Sequence, residues 1–87
     1  MEKYYRNTQV IDGTIDNYQI MMHIERGKYF GLNPIGKRIW ELIEEPKRIE
    51  EITAMLLSEY NISPDQCKVE VQEFLDKGVE CDIIVKQ

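Results

Sequence analysis

One histidine, His23, and two cysteines, Cys67 and Cys81, supply all the imidazole and thiol chemistry of this 87-residue chain. A general base or a thiolate nucleophile needs a second group within hydrogen-bond reach. Neither cysteine has a histidine or a glycine-rich anion site near it in sequence. Cys67 falls on the apolar face of a helical segment and reads as a small buried hydrophobe, and Cys81, near a helix end, reads as a spectator thiol. His23 falls on the outward set of a strand and has no partner for acid–base work. The P-loop, G-x-G-x-x-G, H-E-x-x-H and paired-cysteine zinc spacings are all missing from the sequence. The expectation is a protein without catalysis, metal or cofactor.

Charge narrows the partners. Eleven Lys and Arg against sixteen Asp and Glu give a net charge of −5. Affinity for nucleic acid rests on neutralising phosphates, so this balance opposes a polyanionic partner. The segment that would read DNA in a winged helix, Pro64–Cys81, carries Asp65, Glu70, Glu73, Asp76 and Glu80 against only Lys68 and Lys77. Such a helix is repelled by the phosphates flanking a major groove. Lys37-Arg38 and Lys47-Arg48 lie elsewhere and read as solvated surface. A DNA-binding winged-helix regulator is the rival reading, and an adaptor without a peptide ligand is the third. No apolar run approaches the ~20 residues of a membrane span. The first twenty residues are polar throughout, unlike a signal peptide, so a cytoplasmic protein is expected.

Main-chain chemistry is the remaining possibility, and the stretch from Gly27 to Leu42 invites it. Gly27 suits the positive dihedral of a hairpin turn. Lys28, Tyr29, Phe30, Gly31 and Leu32 follow as a short strand, and Asn33-Pro34 then caps and opens a helix. This strand comes last in its sheet, so its outer edge is free to pair with an extended peptide whose side chains enter a cleft against a helix. The same spacing also fits one aromatic in the core and the other over the strand–helix junction.

The positioning elements follow from periodicity. Residues 1–8 read as a loose, flexible N-terminal arm and residues 9–87 as a single domain. Gln9-Val10-Ile11 is a first strand and Asp12-Gly13 a turn. Tyr18, Ile20, Met22 and Ile24 alternate with Gln19, Met21, His23 and Glu25, which places the first set on the buried face. Ile35, Ile39, Leu42 and Ile43 mark a first helix that ends before Pro46, with Trp40 at the rim of its apolar line. Ile49, Ile52, Met55, Leu56 and Tyr60 mark a second, with Asn61 as a left-handed cap. Ser63 and Gln66 form a capping box for a third, whose face is Cys67, Val71, Phe74, Leu75 and Gly78 and which stops at Asp82. Ile83-Ile84-Val85 is a tail strand or a docked extension. The fold class is α+β: three short antiparallel strands followed by three helices, winged helix-turn-helix-like.

The run from Gly27 to Leu42 also resembles the signature of the PqqD family, roughly G-x-Y-aromatic-x-L-N-x-x-G-x-x-I-W-x-L, and the likeness continues through Ile49–Tyr60 and Phe74-Leu75 to cover about residues 9–85. That resemblance implies a recognition element for ribosomally made precursor peptides. It implies a leader held as an added strand against Lys28, Tyr29, Phe30, Gly31 and Leu32, in a groove shared with the third helix. On that helix Val69, Glu70, Gln72, Glu73 and Asp76 are the candidates, and the edge that lines the groove is left open. A chain of this length resembles the separate leader-binding protein of lasso-peptide clusters. The implied partners are a precursor's leader peptide, a leader-removing cysteine protease and an ATP-dependent cyclase. A peptide chaperone in quinone-cofactor synthesis is the alternative within the family. The acidic third helix suits a leader with Lys or Arg near its docking segment. Two positions depart from the family pattern: Asp82 replaces a usual glycine, and Gly78 stands inside the helix, where glycine costs ~1 kcal/mol relative to alanine.

Overall fold

Asn33 ends the sheet and begins the helices within one residue. Its extended backbone (φ −76°, ψ 171°) and its side-chain Oδ1, which accepts the Gly36 N–H at 2.7 Å, cap a helix that opens with Pro34. The computed structural model describes residues 2–15 and 18–87. Around this junction run β1 (Tyr4–Arg6), β2 (Val10–Ile15), β3 (Tyr18–His23), β4 (Lys28–Leu32), α1 (Pro34–Leu42), α2 (Ile49–Glu59), α3 (Pro64–Glu80) and β5 (Ile84–Lys86). Strands β2, β3 and β4 form an antiparallel sheet in that order, and β1 pairs antiparallel with β5 in a second, two-stranded sheet. The expected sequence of three strands and three helices is present, with the β1–β5 pair added to it.

The β3–β4 hairpin closes as expected on Gly27, at φ 61°, with its N–H donating to the His23 carbonyl at 2.8 Å. The faces of the sheet are the reverse of those expected. Met21 and His23 are fully buried, whereas Ile24 is 56% exposed and Ile20 and Met22 are only half-buried. The Tyr18 and Gln19 side chains lie outside the described residues. The cause is in β4. Phe30 pairs with Met21, and Phe30 and Leu32 pack on the core, so the helices that start at Asn33 cover the Met21 face. Ile20 and Met22 on the other face of β3, with Ile24 just beyond its end, are apolar too but do not decide the packing.

Burial also overturns the surface role expected of His23. Its Nδ1 accepts the Arg26 backbone N–H at 3.3 Å, and its Nε2 faces Asp82 Oδ2 at 3.3 Å without a well-aligned hydrogen bond. Asp82 adopts φ 65°, the left-handed turn that follows α3, and its carbonyl accepts the Asn7 side-chain N–H at 2.6 Å. Thus the turn after α3 is made by a residue whose carboxylate faces the sheet. Asn61 is not left-handed: α2 closes instead on Tyr60 in an extended conformation, and Asp82 is the described non-glycine residue with positive φ. Ser63 caps α3 through the Gln66 N–H at 3.2 Å, but the Gln66 side chain turns to Glu70 and leaves the capping box half made.

The N-terminal arm is a correction as well. Tyr4 is 3% exposed, its backbone exchanges hydrogen bonds with Lys47 (2.7 and 3.0 Å), and β1 lies along β5 with Tyr4 opposite Lys86. Asp12-Gly13 is not a turn, because β2 runs through it to Ile15 opposite β3. Trp40 is core, not rim. Its Nε1 donates to Asp12 at 2.9 Å, and the Arg6 guanidinium lies 4.9 Å from the ring centre while Arg6 Nε donates to the Trp40 carbonyl.

Gly78 is explained by β5. A Cβ there would run into Ile84 Cδ1 and stand 2.7 Å from Ile84 Cγ1, so the bare backbone lets β5 seat on α3. Gly78→Ala therefore gains helix propensity of about 1 kcal/mol but overpacks this contact, which typically costs about 1–3 kcal/mol. The expected outcome in urea titration is a lower midpoint with unchanged slope. A raised midpoint would show that Ile84 moves aside freely.

Candidate peptide-binding site

Among the described residues, strand β4 has a neighbour on one side only. Antiparallel pairs alternate between those that exchange hydrogen bonds and those that do not. The Ile24 N–H donates to the Gln9 carbonyl at 3.1 Å, which sets the phase: Ile20, Met22 and Ile24 turn their backbone groups to β2, and Gln19, Met21 and His23 turn theirs to β4. Carried across the β3–β4 register, Lys28, Phe30 and Leu32 are bonded inward. Tyr29 and Gly31 direct their N–H and C=O groups to the open flank. Among the described residues, neither backbone has a partner beyond its own strand ladder.

Beside this flank runs α3. Phe30, Gly31, Leu32 and Met21 on the sheet face Phe74, Lys77, Gly78 and Cys81 on the helix, with Ile83 beneath, around a cleft of about 190 Å³. A second cleft of about 270 Å³ continues it toward the start of α1, lined by Asn33, Ile35, Gly36, Glu70, Glu73, Phe74 and Lys77. Phe74 and Lys77 border both. Gly36 leaves room for the ring, because a Cβ there would lie 2.9 Å from Phe74 Cε1. The result is an apolar groove with a charged mouth, parallel to a row of open main-chain groups.

The candidate residues divide accordingly. Phe30, Gly31, Leu32, Glu70 and Glu73 come together along the groove. Tyr29 offers its backbone to the flank, but its side chain is 69% exposed on the opposite sheet face. The Lys28 side chain lies outside the described residues. Gln72 faces α2 in a separate cleft with Ile49, Thr53 and Lys68, and it donates to Asp76 at 2.7 Å. Asp76 and the exposed Val69 border neither groove cleft. Sequence reasoning missed Phe74, Lys77, Gly78 and Cys81. Their spacing from Phe74 at i, i+3, i+4 and i+7 marks one helix edge. The helical period puts Phe74 in the core stripe, which hides that edge.

Electrostatics elsewhere are structural. The Arg38 guanidinium binds Glu59 through two bonds of 2.7 and 2.8 Å, joining α1 to α2 and holding the Glu59 carboxyl below the usual range. Burial, with help from Glu70, pushes the Cys67 thiol above its ordinary value and keeps it protonated. Among the described residues, no group of three or more His, Cys, Asp and Glu side chains converges as a metal site would, and no helix is long and apolar enough to cross a membrane.

The family described as coenzyme PQQ synthesis protein D (PqqD) matches residues 18–84, from the first residue of β3 into β5. The chain belongs to the PqqD family. This PqqD-family chain is similar to TbiB1, solved in complex with the TbiA(β) leader peptide, with 31% identity and a TM-score of 0.81 over 92% of this chain and 93% of that one. It shares its fold with a lasso peptide synthetase B1 complexed with the leader peptide, at 13% identity and a TM-score of 0.82 over 94% and 96%. A search of curated protein sequences found no match.

The backbone phase is directly measurable. In hydrogen exchange of the free protein, the amides of Phe30 and Leu32 are expected to be protected about a hundredfold or more relative to those of Tyr29 and Gly31. The opposite alternation would place the open donors on the wrong residues.

Proposed function

We propose that this PqqD-family protein binds the leader region of a ribosomally synthesised precursor peptide, of the lasso class, by strand addition along β4. The observation that carries this reading is the open row of N–H and C=O groups at Tyr29 and Gly31 beside the apolar groove between β4 and α3. A peptide strand paired there places alternate side chains beside Phe30 and Leu32 and over Phe74. Glu70 and Glu73 at the mouth suit a leader with a cationic residue nearby.

The protein performs no reaction of its own. His23 is buried against Asp82, Cys67 is buried and protonated, and Cys81 is a half-buried free thiol at the end of α3. It instead delivers the peptide, in the cytoplasm, to a leader-removing cysteine protease and an ATP-dependent cyclase. The likeness to TbiB1, solved with a leader peptide, supports a leader as the ligand, and the fold shared with a lasso peptide synthetase B1 is in keeping with a lasso leader. DNA binding is disfavoured, since α3 presents Glu70 and Glu73 and Arg38 is already committed to Glu59.

The test is a fluorescence titration with labelled TbiA(β) leader peptide and, separately, with duplex DNA at physiological salt. Saturable leader binding without DNA binding is expected. Tyr29→Pro removes an outward donor but no internal ladder bond, and is expected to lower leader affinity about tenfold more than Tyr29→Ala. Equal losses would mean that side chains alone hold the peptide, and tight, salt-sensitive DNA binding would replace the proposal with the rival one.

A further inference from the structure

Gly31 has no internal reason to be glycine. Its φ is not in the left-handed region, where Gly27 is the described glycine. The register runs from Tyr29 to Leu32 opposite Met22 to Gln19 without a skipped residue, so there is no bulge to accommodate. A Cβ built on Gly31 meets nothing within 4 Å, in contrast to Gly36 and Gly78, whose missing side chains admit Phe74 and Ile84. Glycine inside a strand weakens it, and the remaining physical use of one is close approach by something outside the chain.

The surroundings indicate what approaches. Alternation places Gly31 on the outer sheet face with Tyr29, Ile20 and Met22, away from the helices. Ile11, Asp12, Gly13, Ile20, Met22 and Tyr29 line a shallow, largely apolar cleft of about 190 Å³ there. Tyr29 and Ile11 are 69% and 51% exposed there. Gly31 is also one of the two residues whose main-chain groups face the open flank. A guest residue bonded opposite it stands about 5.5 Å away and carries its side chain on this same outer face.

We infer that Gly31 is a specificity-determining residue of the leader site: it leaves room for a bulky apolar side chain on the leader residue paired with it. That side chain crosses the bare Gly31 backbone, reaches Ile20 and lies against the Tyr29 ring. The inference rests on the strand-addition reading and deepens it. The leader is read on both faces of its strand, by the groove on one side and by the Gly31 gap on the other. A small or charged residue at that position leaves Ile20 and Tyr29 in water.

The test is a phage-display selection of short peptides, randomised at every position, on the full-length protein and in parallel on Gly31→Val, Tyr29→Ala and Tyr29→Pro. Gly31→Val is expected to keep or raise the thermal midpoint, because a β-branched residue suits a strand and meets no neighbour. Wild-type binders are expected to be enriched in Leu, Ile, Phe, Tyr or Trp at one position. Their enrichment there should vanish on Gly31→Val while the preferences at the adjacent, groove-facing positions persist. A purified wild-type binder should lose about tenfold in affinity on Gly31→Val and regain it when that one residue is made small. Binders that lose affinity on Tyr29→Pro but not on Tyr29→Ala, and are indifferent to Gly31→Val, overturn this inference and leave strand addition standing. Binders equally indifferent to both Tyr29 substitutions, or no binders at all, overturn both.

Discussion

The strand–helix junction at Asn33 constrains most of what surrounds it. Because the Asn33 side chain caps α1 directly after Leu32, there is no slack chain between β4 and the helices. The bundle must therefore fold against whichever sheet face Phe30 and Leu32 present. That choice buries Met21 and His23, places α3 alongside the groove, and leaves the flank of β4 without a strand beyond it. A longer connection would have allowed the helices to cross over and cover that flank.

Element types were legible because their signals are local. Gly27, the Asn33-Pro34 pair and the Ser63 cap each state a backbone conformation within three or four residues, and the structure shows each of them. The helical periods survive for the same reason. The sheet face was not legible, because β3 carries apolar side chains on both sides and only tertiary covering distinguishes them. Likewise Tyr4 looks like a residue in a polar arm until β5 arrives to pair with it, eighty residues later in the chain. The helical-wheel angle of Trp40 points to the rim because it carries no information on Asp12 and Arg6, which come from β2 and β1.

The candidate site divides in the same way. That β4 is an edge followed from its order in the chain. Which of its residues offer open backbone groups required a single hydrogen bond, from Ile24 to Gln9, that no pattern encodes. On α3, residues on different edges are equally plausible from sequence, and only the packing shows that Glu70, Glu73, Phe74 and Lys77 border the clefts. Membership of the PqqD family accords with this arrangement, since the matched region extends from β3 through α3 into β5.

The seat of Ile84 on Gly78 has a consequence for biosynthesis. Ile83 forms part of the groove floor, and β5 is held in place by β1 at the opposite end of the chain. During translation, β1 must wait unpaired while every intervening element is made. The nascent chain therefore cannot complete its groove before the ribosome has added Ile84.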